Sequence, residues 1–113
     1  MEDLELISFK IISNVGAAKS LYIEAIQEAK NYNFEEALKM MEEGETKRVT
    51  AHEVHFGLIQ NEANGINTPF SLLLMHAEDQ LMAAETIKIM ANEIIDSQRK
   101  IKSLEDTIQN KLT

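Results

Sequence analysis

From Leu4 to Ala29 apolar side chains return at helical spacing, through Leu4, Ile7, Ile11, Ala18, Tyr22, Ala25 and Ala29, with Ile12, Val15 and Ile26 widening the stripe. That step fits one face of an α-helix and not the alternation of a strand. Gly16 lies inside this first helix, where a glycine costs about 1 kcal/mol relative to alanine, so a bend or a close approach by another chain is expected there. A second run, Leu38, Met41, Val49, His52, Phe56 and Ile59, is read as the inward stripe of a second helix ending near Ala63. Asn33, with Glu36 three residues on, resembles a capping box and starts that helix near Phe34. "NGINTP" then stops it: Asn64 and Gly65 supply the C-terminal signal, Thr68 is the expected N-cap and Pro69 the expected first residue of a third helix. The third helix is expected to reach about Leu112, its polar last residues, "IKSLEDTIQNKLT", fraying or extending.

Three helices with short joints predict an all-α fold, an antiparallel up-down-up three-helix bundle, with residues 1–113 as a single domain. Four glycines and one proline agree with long uninterrupted helices. The third helix carries two apolar stripes. Leu74, Ala77, Leu81, Ala84, Ala91 and Ile95 form one, and Leu72, Met75, Met82, Thr86 and Met90 the other. Two stripes on one helix call for two burial surfaces, one inside the chain and one between copies of it, so an oligomer is expected.

Composition narrows the function. A net charge of −8 denies the chain the basic surface that nucleic acid or anionic lipid requires. The absence of cysteine excludes disulfides, thiol nucleophiles and cysteine-ligated metals. "MEDLELISFK" lacks the basic and apolar regions of a signal peptide, and the longest apolar run, Leu72 to Met75, is too short to cross a bilayer. A cytoplasmic protein without membrane insertion is expected.

The chemistry concentrates in "SLLLMHAEDQLMAAE", Ser71 to Glu85. His76, Asp79 and Gln80 stand at i, i+3 and i+4 and share a face. Asp79 lies within the second apolar stripe, with no Lys or Arg at the neighbouring turns. A buried carboxylate so placed protonates, pairs or binds a cation. If the stripe faces a symmetry axis, copies of Asp79 meet there and a hard divalent cation holds them together, for which a cyclic trimer is well suited. A histidine on such a face is either a hydrogen-bonded core residue or a reactive group. Here Gln80 and Asp79 are placed to fix one ring nitrogen and leave the other as a nucleophile. His52 falls on the expected inward stripe of the second helix and is read as structural, with a lesser prospect of lining the site near His76. "AHEVHF" fails as a zinc-protease motif, because the second histidine would have to stand at Phe56. Glu-x-x-His pairs of a di-iron bundle are missing as well. The acidic "MEEGE" is read as a solvated face.

"MHAEDQLM" resembles the third-helix signature of the IIA component of the lactose/cellobiose group (lactose, N,N'-diacetylchitobiose, cellobiose) of the bacterial phosphoenolpyruvate-dependent sugar phosphotransferase system. His76, Ala77, Asp79, Leu81 and Met82 match its His-Ala-Gln-Asp-His-Leu-Met pattern, while Glu78 and Gln80 depart from it. Gly16, Ala17, Ala18, Lys19 and Ser20 correspond to the family's Gly-x-Ala-Arg-Ser, with lysine for arginine, and Ala51 and His52 to its Ala-His pair. The similarity runs from about Ile7 to Lys100.

The resemblance implies a homotrimer with one divalent cation, of the Mg2+ type, held at the axis by Asp79. It also implies that His76 accepts a phosphoryl group from the phosphocarrier HPr and passes it to a cysteine of the sugar-specific IIB component, for uptake of a disaccharide such as cellobiose or lactose. Gln80 keeps hydrogen-bonding capacity where the family has a second histidine. Glu78 introduces a negative charge that would weaken phosphohistidine if it approached the phosphoryl oxygens; residues i and i+2 of one helix point nearly opposite ways, so it would have to reach the site of a neighbouring chain to do so. It therefore supports an alternative expectation, a non-catalytic helical interaction module with the same fold. A metal-dependent helical enzyme is a weaker reading, because one carboxylate per chain completes no ligand set.

Overall fold

The computed structural model describes residues 3–113. Helices α1 (Leu4–Lys30), α2 (Phe34–Ala63) and α3 (Leu72–Leu112) run antiparallel in chain order, and no strand occurs among the described residues. The all-α three-helix expectation holds. α1 packs along both partners, whereas α2 and α3 touch each other far less, so one side of the bundle is a shallow cleft.

On α1 the buried residues are Ser8, Ile11, Val15, Ala18, Tyr22, Ala25 and Ala29, the expected stripe from Ile11 onward with a serine added, while Leu4, Ile7, Ile12 and Ile26 are partly buried beside it. Ser8 is tolerated because its hydroxyl donates to the Leu4 carbonyl at 2.8 Å. On α3 the buried set is Leu74, Ala77, Leu81, Ala84, Ala91 and Ile95, the first expected stripe in full. The second stripe is exposed in the single chain, with Leu72 at 73% and Met82 at 62%.

α2 corrects the expectation. Its buried residues are Ala37, Met41, Gly44 and Ala51. Met41 alone is shared with the stripe read from the sequence; Leu38, Val49, His52, Phe56 and Ile59 are exposed. The reason is steric. A Cβ placed on Gly44 would lie 2.6 Å from the ring of Tyr22, so α1 and α2 approach over small residues and the large apolar ones turn outward. The acidic segment around Gly44 is thus not wholly solvated. Gly16 shows no such contact: beyond its own turn of helix, no atom of the described residues lies within 4 Å of its missing Cβ, and α1 continues through it.

The joints also differ in detail from their signals. α1 ends with Tyr32 in the left-handed region at φ 65°, its N–H donating to the Ala29 carbonyl at 3.0 Å, and Asn33 N–H to that of Glu28 at 2.9 Å. This is a Schellman closure built on a tyrosine in place of the usual glycine. Asn33 is the N-cap of α2 by position, but its side chain caps nothing and donates instead to the Glu28 carboxylate at 2.9 Å. α2 closes as expected through Asn64 and Gly65, the glycine at φ +85°. α3 begins at Leu72, three residues beyond the expected start at Pro69. Ser71 caps it, its hydroxyl accepting from Leu74 N–H at 3.2 Å, while Thr68 and Pro69 stay in the connection. The far end of α3 stays helical to Leu112, with Leu104, Ile108 and Leu112 largely exposed.

Candidate functional site

With Ala77, Leu81 and Ala84 turned into the core, the 100° step of the helix fixes where their neighbours go. His76 and Gln80 fall on the flank toward α1, Glu78 and Glu85 on the flank toward α2, and Met75, Asp79 and Met82 on the outer face. The side-chain partners follow this partition. On the α1 flank, Lys19 Nζ donates to Gln80 Oε1 at 2.9 Å in a half-buried bond. On the α2 flank, His55 Nε2 lies 2.6 Å from Glu78 Oε2. The carboxylate that departs from the family pattern at Glu78 is therefore directed to α2 and hydrogen-bonded there to a histidine of the same chain.

His76 itself is exposed. Gln80 has its carbonyl oxygen engaged by Lys19, and its amide N–H groups remain as donors. With Ser71 as the cap, His76 stands five residues into α3, about 7.5 Å along it, nearer the helix N-terminus than a start at Pro69 implied.

Asp79 is exposed on the outer face and lines a groove of about 550 Å³ between α2 and α3, together with His52, His55, Met75, Met82 and Glu85. His76 does not line this groove. His52, expected inward, is 54% exposed, stacks on Phe56 at 6.3 Å and has Nδ1 3.9 Å from Glu85. It lies on the α2 side, across α3 from the Lys19–Gln80 bond.

Beneath the groove is a polar cluster that composition did not announce. Glu45 is bound by Arg48 through Nε at 2.9 Å and through Nη2, and its other oxygen pairs with Lys88 at 2.6 Å. Arg48 also reaches Glu85 at 3.4 Å. Burial pushes the Glu45 carboxyl up, but the bonds and charges of Arg48 and Lys88 outweigh it and hold the group below its usual value. Tyr22, 0% exposed, is pushed up to about 12, by burial first and the Glu45 charge second.

Two members of the site escaped the sequence reading. Lys19 is visible in the sequence only as a motif position, and His55 only as one letter of "AHEVHF". The missed signal was the run of small residues on α2. Ala37, Gly44 and Ala51 at seven-residue steps mark the buried face, and His55, four after Ala51, belongs beside it.

The fold and this surface define an all-α bundle that displays a free imidazole beside a lysine–glutamine bond. The comparisons give the family. The family pattern described as "PTS system, Lactose/Cellobiose specific IIA subunit" matches residues 6–99. The lichenan-specific phosphotransferase enzyme IIA component of Bacillus subtilis (strain 168) is 44% identical over 88% of this chain and 91% of its own length. The cellobiose-specific EIIA component of Lactococcus lactis subsp. lactis (strain IL1403) is 35% identical over 85% of this chain and 83% of its own. Among solved structures, the PTS cellobiose-specific enzyme IIA from Bacillus anthracis superposes with a TM-score of 0.86 at 39% identity, covering 91% of this chain and 95% of that one. The chain belongs to the lactose/cellobiose family of IIA subunits of the sugar phosphotransferase system. No helix among the described residues is long and apolar enough to cross a membrane.

Proposed function

We propose that this chain is a cytoplasmic phosphocarrier in which His76 takes a phosphoryl group from phospho-HPr and delivers it to a cysteine of a sugar-specific IIB component, for uptake of a disaccharide of the cellobiose or lactose type. The observation that carries this reading is the exposed His76 on the lysine-bearing flank of α3, in a chain of this family. A nucleophile that must meet two partner proteins in turn has to stand on the surface, and a neutral imidazole is a competent nucleophile near pH 7. The bond of Glu78 to His55 turns it away from His76 of its own chain, which favours the carrier over a non-catalytic module. Names of relatives such as the lichenan-, oligo-β-mannoside- and cellobiose-specific components favour a β-linked sugar.

The same proposal includes a homotrimer. The exposed Met75 and Met82 of α3 and Ile59 of α2 border one cleft, and such an apolar surface is covered most simply by another copy. No group of three or more acidic or histidine side chains among the described residues is placed to hold a metal ion. A cation would therefore need Asp79 from several copies. Carboxylate oxygens suit a hard ion such as Mg2+, which keeps waters in its remaining positions. When bound, it would neutralise the converging carboxylates.

Incubation with phosphoenolpyruvate, Enzyme I and HPr should give an acid-labile phosphoryl adduct on this chain, discharged by the cognate IIB. An unlabelled wild-type chain in the presence of charged HPr would sink the carrier reading. Asp79→Leu should leave an assembly at least as stable without divalent ions, and a monomer by light scattering would count against the axial placement.

A further inference from the structure

We infer that Lys19 is the cation that meets the phosphoryl group on His76, and that its bond to Gln80 is the resting position of that cation. The inference rests on the carrier reading and deepens it.

A phosphoryl group on His76 brings about two negative charges to a chain whose net charge is already −8. The surroundings on α3 offer no relief. Asp79 is acidic, and Glu78 is a carboxylate held on the opposite flank by His55. Lys88, twelve residues further along α3, pairs with Glu45, and Arg48 is engaged by Glu45 and Glu85. Lys19 differs from these cations. Its ammonium crosses from α1 to the His76 flank and is held there at 2.9 Å by a neutral amide, with no carboxylate between. Gln80 stands one helical turn beyond His76, about 6 Å away, so the ammonium reaches the space above the imidazole by rotation of its own flexible stem.

The step balances without a further reactant. The lone pair of the neutral His76 ring forms a nitrogen–phosphorus bond, while the bond to the donor protein's imidazole breaks and its electron pair returns to that ring; the donor ring takes up a proton and the His76 ring gives one up, exchanged through solvent. Negative charge on the three phosphoryl oxygens passes to the His76 flank as this happens. Lys19 exchanges a neutral amide acceptor for a charged one, a stronger hydrogen bond, and Gln80 is released to turn an N–H toward the same oxygens. Gln80 is thus the positioning residue, and Lys19 touches the group transferred.

The test compares wild type, Lys19→Met and Lys19→Arg under phosphoenolpyruvate, Enzyme I and HPr, with helicity checked by circular dichroism. Lys19→Met should slow phosphoryl acceptance about a hundredfold, the lower end for losing a charge-stabilising donor. It should also raise the second phosphoryl pKa of the adduct, read by phosphorus NMR titration, because a nearby cation favours the dianion. Lys19→Arg should restore both. A labelled Lys19→Met chain with rate within twofold of wild type and an unshifted titration overturns the role of Lys19 alone. So does a slowed chain whose titration is unshifted, since that marks a structural effect. A wild-type chain that takes no label overturns the carrier reading and this inference with it.

Discussion

The seam between α1 and α2 and the seam between α2 and α3 are built from opposite materials. In the first, Ala18, Tyr22, Ala25, Ala29, Ala37, Met41 and Gly44 close the interface, and Tyr22 lies directly on Gly44. In the second, side chains bridge a gap through His55–Glu78, Lys88–Glu45 and Arg48–Glu85 and leave a groove above them. Close packing of small residues holds a fixed axis separation, because cores lose stability with each misplaced methylene. Partly exposed ion pairs contribute little and tolerate adjustment. The difference assigns stability to the first seam and leaves the second able to receive another surface.

The contrast can be broken by substitution. Gly44→Leu should cost about 3 kcal/mol in chemical denaturation, as expected for overpacking against an aromatic ring, and should lower the unfolding temperature. A loss near zero would mean the first seam is not tight. Removing one partner from the polar cluster should come next. Arg48→Met leaves Glu45 half-buried with Lys88 alone and should cost about 1–3 kcal/mol.

The same cluster predicts opposite pH limbs. Glu45 has a folded pKa below its usual value of 4.5, so its contribution is present above that value and is lost as pH falls through the folded pKa. Glu45→Gln should flatten that acid limb. Tyr22 has a folded pKa of about 12 against the usual 10, so its contribution is full below 10 and is lost as pH rises toward 12. Tyr22→Phe should abolish this alkaline limb, and denaturation followed by circular dichroism across both ranges reads the two effects separately. A smaller effect is expected at the second seam. His55→Ala should cost about 1 kcal/mol, the net worth of one hydrogen bond, and leave labelling of the chain intact. Gly16→Ala should raise stability by about 0.5–1 kcal/mol, because the site is helical and open.

Where large apolar residues face the core, as on α1 and the inner stripe of α3, the sequence period alone located the buried face. α2 inverted that rule. Its inner face is small because Tyr22 needs the room, and its large residues Leu38, Phe56 and Ile59 border open surface, so weighting the pattern by size selected the wrong side. Caps were legible in type but not in position, since Thr68 and Ser71 are both competent and tertiary packing chose the second. At the site, one helix sufficed to group His76 with Gln80 and to separate Glu78 from both. The partners Lys19 and His55 come from other helices at 61 and 23 residues' distance, and no periodicity within α3 could name them.

Three histidines make the central claim decidable, because His52 and His55 lie on the α2 side and His76 on the α1 flank. Labelling with phosphoenolpyruvate, Enzyme I and HPr, followed by acid-labile phosphate counting in His52→Ala, His55→Ala and His76→Ala chains, separates the sides of α3. Full labelling of the first two and none of the third is expected. A His76→Ala chain that still carries the acid-labile phosphoryl group would contradict it.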